Sequence, residues 1–389
     1  MKNEIKELAK EYFNEIVQIR RYLHKHPELS FQEENTSKYI QKILKKWGVK
    51  FKTNYAKTGI VGVIKGKSYN SNVTALRADF DALPILEEND IDYCSLTHGV
   101  MHACGHDAHT ASLLGTIKIL NRLKDHWKGT VKFIFQPAEE RLPGGAKQMI
   151  KDGVLKSPNV NQIFGQHVYP DLEKGKVGFK TGEYMASTDE IYINIQGVGG
   201  HAALPLKTVN PIVISTELIN LLYKYFDAER NRPSIFSIGY INAQGSTNII
   251  PKELDMMGTF RCIDDNWRFQ AHKDMLEIAN KIEVKYKIEI NFEIRIGYPS
   301  LYNNKELTLQ SIKLAKDFLG EKKVVELPLR MTAEDFAYYT KEIPGCFYRL
   351  GTANHKAGIT HNLHTSKFNI DEESLELGMG LMAWLAICH

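Results

Sequence analysis

The sequence has few cysteines, no long apolar run and no concentration of charge. Its 389 residues include five cysteines, an odd number scattered along the chain, so we expect reduced thiols rather than a disulfide framework. No stretch approaches the ~20 apolar residues of a membrane span, and the charged first residues lack the apolar core of a signal peptide. We therefore expect a cytoplasmic protein that has no membrane partner.

Basic residues are not clustered either. Lysine and arginine total 50 against 46 acidic residues, and the net charge of +4 is spread without the basic runs that bind phosphate backbones. This balance argues against nucleic acid as a partner. The chain does have 43% hydrophobic residues, which is enough to build the cores of two domains or of one large domain.

Residue periodicity in the first half of the chain predicts alternating helices and strands. Such alternation is typical of an α/β fold with a mostly parallel sheet. Asp107 is a candidate cap for the third of the helices. The predicted helices cover 4–26, 36–47, 107–123 and 145–152, and the predicted strands cover 59–64, 72–77, 131–135 and 162–167.

The order of elements changes after residue 188. Up to residue 294 the pattern is strand, helix, strand, strand, helix, strand, which is the βαββαβ order of the ferredoxin-like split unit. The alternation of helices and strands seen in the first half of the chain resumes near residue 305. We therefore predict a catalytic domain made of residues 1–185 and 297–389, with an α+β domain inserted at 186–296.

Candidate metal ligands are concentrated in eight residues that begin at His102 and supply three imidazoles, one thiol and one carboxylate. Zinc, manganese and cobalt accept these ligand types, and Cys104 and His106 are close enough in a loop to face one centre. Further ligand types lie at or just past predicted strand ends, which converge on one edge of a parallel sheet. These are Asp79, the pair Glu139-Glu140 and His167, followed downstream by His361 and His364. Together they indicate a two-metal hydrolase.

Six segments resemble the ordered motifs of the M20 metallopeptidase family. They occur in family order within about residues 20 to 375, and HACGHDAH and QPAEE are the most specific of them. Within the family, the chain most resembles amidohydrolases that act on N-acyl amino acids, hippurate and indole-acetyl amino acid conjugates. The six segments are 76–84, 101–109, 136–140, 165–170, 199–203 and 333–336.

The resemblance implies a zinc-exopeptidase-like catalytic domain that binds two divalent ions. Mn²⁺ or Zn²⁺ is expected, with Co²⁺ or Ni²⁺ as alternatives. His364 is preferred over His361 because the segment LHTSKF resembles the closing L-H-x-x-x-F motif of the family. The implied ligands are Cys104, His106, Glu140, His167 and His364.

The resemblance also implies that Glu139 is the catalytic base. Two ions ~3.5–4 Å apart can share a water and bring its pKa down toward ~7. Glu139 would take the proton of this water and deliver it to the departing amine of an N-acyl amino acid. Asp79 is expected to orient a ligand rather than to bind metal, because a hydrogen-bonded partner fixes the geometry of a ligand.

The resemblance identifies the inserted domain as a lid and dimerisation domain. His201 resembles the histidine that the family presents across a dimer interface, so we expect a homodimer in which this imidazole helps to stabilise the oxyanion. Asn248 and Arg261 lie in segments that resemble those meeting the substrate carboxylate, which a guanidinium can grip with two bonds. Substrate preference stays open because the chain departs from the family at three positions where lysine, histidine and aspartate are common. These are Val198, Leu206 and Asn210.

Three other functions remain open. The same fold can serve a dipeptidase or a carboxypeptidase, which only substrate profiling separates from an amidohydrolase. Alternatively, Cys104 is a nucleophile activated by His106 or His109, as in thiol hydrolases. A binding module without activity would lack a ligand or the base, and none of these residues is missing from the sequence.

Overall fold

The computed structural model describes residues 1–68 and 72–389 of the chain. The α-helices in these residues are α1 (Lys2–Lys25), α2 (Glu34–Lys46), α3 (His106–Arg122), α4 (Gly145–Lys151), α5 (Pro211–Ala228), α6 (Asp265–Tyr286), α7 (Lys305–Leu319), α8 (Ala337–Glu342) and α9 (Ser374–Cys388). The strands are β1 (Phe51–Tyr55), β2 (Gly59–Lys65), β3 (Val73–Asp79), β4 (Thr130–Gln136), β5 (Gln162–Glu173), β6 (Val177–Phe179), β7 (Gly182–Met185), β8 (Asp189–Gln196), β9 (Gly200–His201), β10 (Ser234–Asn242), β11 (Ile249–Ile250), β12 (Glu253–Cys262), β13 (Glu289–Ile296), β14 (Leu301–Asn303), β15 (Val324–Glu326) and β16 (Gly345–Ala353).

The chain forms two compact units. Unit 1 comprises Met1–Gly182, Tyr302–Pro328 and Asp335–His389, and unit 2 comprises Glu183–Leu301 and Leu329–Glu334. Each unit is built around its own cluster of buried hydrophobic residues.

Unit 1 contains a large sheet whose strands are mostly parallel. In the described residues it has eight strands, in the order β1-β2-β4-β3-β5-β16-β6-β15. Strand β3 pairs in parallel with both β4 and β5, and β5 pairs in parallel with β16, while β1 and β2 form an antiparallel edge. This confirms the α/β fold that the alternation of helices and strands predicts.

Burial explains why the central elements take these positions. Strands β3 and β4 have no exposed residue, as expected for parallel strands covered on both faces. Helix α1 buries Ile5, Ile16 and Leu23 at helical spacing and packs against α3 and α9. Helix α3 is buried along most of its length, so its first residue lies inside the protein. Among the described residues, every helix falls short of the length or the apolar character that a bilayer crossing requires.

Asp107 does not cap α3, contrary to the prediction. The helix begins at His106, after Gly105 with a φ of +80°, so Asp107 lies inside the first turn. Its Oδ2 atom accepts a hydrogen bond from Arg20 Nε at 2.7 Å and lies 2.7 Å from His24 Nδ1. A buried carboxylate needs such partners more than the helix end needs a cap, because an unpaired buried charge is costly.

Strand β5 is longer than the sequence predicts. The pattern predicts an end at His167, whereas the strand continues to Glu173 because β16 pairs with it as far as Ala353. His167 therefore lies inside β5 rather than at its end. The other neighbour, β3, pairs with β5 only as far as Gly165, so His167 lies beyond the part of β5 that pairs with β3.

Unit 2 follows the order β8, α5, β10, β12, α6, β13. Its four-stranded sheet is antiparallel in the order β10-β12-β8-β13, which is the arrangement of a ferredoxin-like split unit. The buried Asp189 at the start of β8 accepts hydrogen bonds from Arg268 at 2.9 and 2.5 Å and lies 2.7 Å from His272. These contacts fasten α6 to the sheet.

Lys132 in β4 is a buried cation that holds the segment following α4. Its ammonium donates to the carbonyl oxygens of Val154, Lys156 and Pro158 at 2.8, 2.8 and 2.9 Å.

We expect Lys132→Met to lower the free energy of unfolding by ~3 kcal/mol, because three carbonyls lose their donor. Urea unfolding followed by circular dichroism measures this change. Lys52→Met, at an exposed position of β1, is the control, and an equal effect of both variants would contradict the expectation.

Candidate metal centre

The turn before α3 brings together ligand types from distant parts of unit 1. A Cβ atom on Gly105 would lie 2.5 Å from Cγ2 of Val168, and φ is +80°, so glycine is required there. The turn places Cys104 and His106 on either side of this glycine, and both side chains are buried. Cys104 Sγ lies 3.5 Å from Nε2 of His167 in β5. The loop and the strand therefore supply one common cluster.

Candidate ligand atoms form overlapping groups in unit 1, and within each group all the atoms lie within 4.8 Å of one another. Three of these groups contain the predicted ligands, and Cys104 and His106 of the first group each recur in one of the other two. The structure thus brings the five predicted ligands together. The three groups are Cys104, His106 and His167; Cys104, Glu140 and His364; and His106, Glu139 and Glu140.

His364 reaches the cluster from the last part of the chain. Its Nε2 atom lies 3.2 Å from Glu140 Oε1, and its backbone N–H donates to the carbonyl of Ala103 at 2.8 Å. It has a left-handed φ of +61°, a conformation that a residue other than glycine keeps only where contacts hold it. His361 is exposed and, within residues 1–68 and 72–389, belongs to no group of candidate ligands.

The two buried histidines are oriented by hydrogen bonds at Nδ1. The Nδ1 atom of His106 lies 2.9 Å from the carbonyl oxygen of Asp81 and 3.1 Å from Oδ1 of the same residue. The Nδ1 atom of His167 lies 2.7 Å from the carbonyl oxygen of Val168. A neutral ring that donates from Nδ1 keeps its lone pair on Nε2. In the described residues, His106 Nε2 is buried without a hydrogen-bond partner. Donors of this kind fit a divalent cation.

Negative charge surrounds His106. Burial alone would lower its pKa, but Asp79, Asp81 and Glu140 raise the pKa of His106 to about 10. The cluster therefore favours a positive charge at this ring. A divalent cation bound to Nε2 supplies that charge and leaves the imidazole neutral.

The surroundings of Cys104 do not activate it as a nucleophile. Burial and then the carboxylates of Glu140, Glu139 and Asp79 raise the pKa of the Cys104 thiol well above its usual range. Neighbouring positive charge favours a nucleophilic thiolate, whereas the charged groups that act on Cys104 are carboxylates. The structure therefore favours Cys104 as a ligand of a cation over the thiol-hydrolase alternative.

His109 has no nitrogen left for a metal or for Cys104. Its Nδ1 atom lies 2.6 Å from Asp79 Oδ1, and its Nε2 atom accepts a hydrogen bond from the backbone N–H of Val168 at 2.9 Å. Because a backbone N–H can only donate, Nε2 is the unprotonated nitrogen of this ring. Burial lowers the pKa of His109, which keeps the ring neutral.

Asp79, the last residue of β3, is held as an ionised carboxylate. Although burial raises its pKa, Arg77 and then His106 and His109 hold the pKa of Asp79 well below its ordinary value. Arg77 Nη1 donates to Oδ2 at 2.5 Å, and the same oxygen lies 3.9 Å from His106 Nε2. Asp79 directly orients His109, while its predicted role in orienting a metal ligand stays a prediction.

Asp81 is a residue that the sequence patterns did not single out. Besides His106, it contacts the backbone N–H of Glu140 at 3.0 Å and the hydroxyl of Ser30 at 2.7 Å, both through Oδ2. Its only signal in the sequence is its position two residues after Asp79, because alternate residues of an extended chain point to the same side.

Glu139 is buried beside the ligand cluster and is oriented by a second residue that the patterns missed. Its Oε1 atom accepts a hydrogen bond from the backbone N–H of Asp335 at 3.4 Å. The carboxylate of Asp335 in turn accepts from Arg77 at 2.7 Å and from Gln136 at 2.8 Å. The segment 333–336 is a motif in the sequence, but spacing alone gives Asp335 no role.

In unit 2, His201 and Asn248 lie on the same short ladder. His201 is exposed in β9 and pairs with Ile249 of β11. The carbonyl of Asn248, which is also exposed, accepts from the backbone N–H of Ala202 at 3.0 Å. An exposed histidine beside small residues is accessible to a ligand or to another chain.

Arg261 in β12 is half-buried within unit 2. Its guanidinium donates to the hydroxyls of Thr188 and Thr259. Burial lowers the pKa of Arg261. In the part of the chain that the structure describes, no carboxylate forms an ion pair with it, which suits a group that binds the carboxylate of a ligand.

Comparison with known proteins places the chain in one family of hydrolases. The chain matches the family described as peptidase family M20/M25/M40 over residues 75–387. It is 38% identical to thermostable carboxypeptidase 1 of Saccharolobus solfataricus over 100% of this chain and 97% of the relative. It is also 38% identical to an N-acetylcysteine deacetylase of Bacillus subtilis, over 97% of each protein.

Among solved structures, the chain is similar to the Bacillus subtilis YXEP protein, which is described as a dinuclear metal binding peptidase from the M20 family. The TM-score is 0.83 and the identity 36%, over 97% of this chain and 98% of the other. The family match covers most of the sequence, and these relatives match it almost from end to end. The chain belongs to peptidase family M20/M25/M40.

Proposed function

We propose that this protein is a metal-dependent amidohydrolase that cleaves the amide bond of N-acyl amino acids. The observation that carries the proposal is the close approach of Cys104, His106 and His167, within 4.8 Å of one another, in a cluster that adjoins the buried Glu139. The substrate class is supported by the N-acetylcysteine deacetylase that is 38% identical to this chain. All five cysteines are free, which fits a reducing compartment such as the cytoplasm.

The ligand cluster suits two cations better than one. Cys104 belongs to one group with His106 and His167 and to another with Glu140 and His364, so its sulfur adjoins both groups. When bound, two divalent cations supply the Lewis acidity that lowers the pKa of a water and polarises the scissile carbonyl. The thiolate and imidazole donors favour Zn²⁺, with Mn²⁺ as the alternative.

Glu139 is the proposed general base. The N–H of Asp335 orients its carboxylate, and the side chain is buried, so it is fixed beside the ligands. It takes a proton from the attacking water as the new carbon–oxygen bond forms. It then delivers this proton to the amine nitrogen as the carbon–nitrogen bond breaks, which releases a carboxylic acid and an amino acid.

Unit 2, which includes the predicted inserted domain 186–296, is the proposed lid and dimerisation domain. Strand β10 forms an edge of its sheet, and its side chains Ile235, Tyr240 and Ile241 are 43%, 43% and 51% exposed. An edge strand with exposed apolar side chains is a template for pairing with another chain. In the proposed homodimer, the partner subunit's His201 stabilises the oxyanion, while Asn248 and Arg261 bind the substrate carboxylate.

A carboxypeptidase or dipeptidase is the second candidate, because the carboxypeptidase of Saccharolobus solfataricus is 38% identical over the whole chain. Both substrate classes have an amide bond next to a free carboxylate, so Arg261 suits either.

We expect N-acetyl, N-benzoyl or indole-acetyl amino acids to give a kcat/KM at least ~10-fold above that of unmodified dipeptides with the same C-terminal residue. The reverse order would replace the amidohydrolase by the peptidase.

Metal removal separates the metal mechanism from a cysteine nucleophile. We expect chelation to abolish hydrolysis and Mn²⁺, Zn²⁺ or Co²⁺ to restore it, because the water needs a Lewis acid. Cys104→Ser should lower the bound metal measured by mass spectrometry, whereas Cys94→Ser, outside the cluster, should leave it unchanged. A thiol hydrolase would instead keep its activity after chelation and bind no metal.

Mixing two inactive variants tests the shared site. His201→Ala and Glu139→Ala should each lower kcat by ~10²–10⁴-fold, because each removes a group that acts in the transition state. After subunit exchange, half of the dimers are mixed and each has one intact site, so the mixture should regain about a quarter of the wild-type activity. Sedimentation velocity verifies that dimers are present. An inactive mixture of exchanged dimers would contradict a site completed by the partner.

A further inference from the structure

A buried carboxylate outside the ligand cluster holds the segment that follows β4. Glu33, the residue before α2, is fully buried. Its Oε1 atom accepts hydrogen bonds from the backbone N–H groups of Ala138 and Phe31, each at 2.9 Å. Its Oε2 atom accepts from the hydroxyl of Thr58 at 3.1 Å. One side chain thus ties together three parts of unit 1 that are far apart in the sequence.

The two residues whose N–H groups share Glu33 Oε1 both have a left-handed backbone. Their φ values are +53° at Ala138 and +66° at Phe31. A side chain with a Cβ atom makes this conformation sterically unfavourable. It persists only where the surrounding structure holds it, and the hydrogen bonds to Glu33 are contacts of this kind.

A second buried carboxylate holds the next part of the same segment. Asp81 Oδ2 accepts from the backbone N–H of Glu140 at 3.0 Å, and the carbonyl of Ala138 accepts from the N–H of Gly145 at 2.8 Å. The amides on both sides of Glu139 are therefore fixed. These bonds set the path of the backbone and, with it, the directions in which two adjacent carboxylates leave the chain.

We propose that Glu33 is a positioning residue, which holds Ala138 in its left-handed conformation and thereby sets where Glu139 and Glu140 project. This rests on the proposed function, in which Glu139 is the base and Glu140 a metal ligand. Glu33 acts through the backbone and needs only an acceptor oxygen. Burial and then the charge of Asp81 raise the pKa of Glu33 to about 7, and an acceptor is present in either protonation state.

Variants of Glu33 that remove its acceptor oxygen should impair the enzyme, whereas a variant that keeps this oxygen should not. Glu33→Ala is expected to lower kcat and the affinity for Mn²⁺ by ~10–100-fold each, with a change of less than ~3-fold in KM, because both carboxylates are misplaced. Glu33→Gln keeps a carbonyl oxygen at the same reach and should stay within ~3-fold of wild type.

Glu33→Met lacks the acceptor but fills the space, so it replaces the alanine variant should that one unfold. Thr58→Val removes only the bond to Oε2 and is the matched control, expected within ~3-fold of wild type.

Ala138→Gly distinguishes a positioning role from a purely structural one. Glycine adopts a positive φ without steric cost, so it should partly replace the bond to Glu33. We expect the kcat of the double variant Glu33→Ala/Ala138→Gly to be at least ~5-fold higher than the kcat of Glu33→Ala. A purely structural role would leave the double variant as impaired as the single one.

Metal affinity is measured by titrating the metal-free chain with Mn²⁺ and following free Mn²⁺ by electron paramagnetic resonance, which does not depend on turnover. The proposal is overturned if Glu33→Ala keeps both kcat and affinity, if Glu33→Gln is as impaired as Glu33→Ala, or if Ala138→Gly gives no recovery. A wild-type chain that hydrolyses no N-acyl amino acid would refute the proposed function instead. In that case the Mn²⁺ affinities of the same variants still decide the role of Glu33.

Discussion

The metal centre depends on the requirement that buried polar atoms have partners. Atoms that face away from the ligand cluster are satisfied, since Nδ1 of His106 bonds to Asp81 and Nδ1 of His167 bonds to a backbone carbonyl. His106 Nε2, which faces into the cluster, has no hydrogen-bond partner in the described residues. A cation accepts the lone pairs of imidazole nitrogens and carboxylate oxygens together. The outer hydrogen bonds orient both rings so that Nε2 faces the position proposed for the cations.

Long-range pairs of buried charges carry this arrangement. Arg20 of α1 holds Asp107, the neighbour of His106, and Arg77 of β3 holds Asp335, whose N–H contacts Glu139. Such pairs contribute little net stability, because desolvation offsets the attraction. Their geometry is strict, however, since losing one partner leaves an uncompensated buried charge. They therefore serve to position the proposed ligands and the proposed base more than to stabilise the fold.

The sequence predicts local structure well because apolar periodicity is a local property. The predicted bounds of α3 (107–123) and β4 (131–135) agree with the structure to within one residue at each end, and the ligand-rich turn before α3 is visible because its residues are adjacent. The end of β5 depends on pairing with β16, and the role of Asp107 depends on α1, so neither follows from a local pattern. Glu33 gives no signal at all, since it is one glutamate whose partner Ala138 is 105 residues away.

The adjacent residues Glu139 and Glu140 have two different proposed roles, and one stretch of backbone positions both of them. Glu140 Oε1 lies 3.2 Å from His364, while Glu139 Oε1 accepts from the N–H of Asp335, so the two carboxylates have different surroundings. A side-chain substitution at either position would remove one role and leave the other. A change in the backbone at Ala138 would displace both, because the proposed ligand and the proposed base follow the same turn. The buried carboxylates of Glu33 and Asp81, which hold this turn, therefore bear on both proposed roles at once.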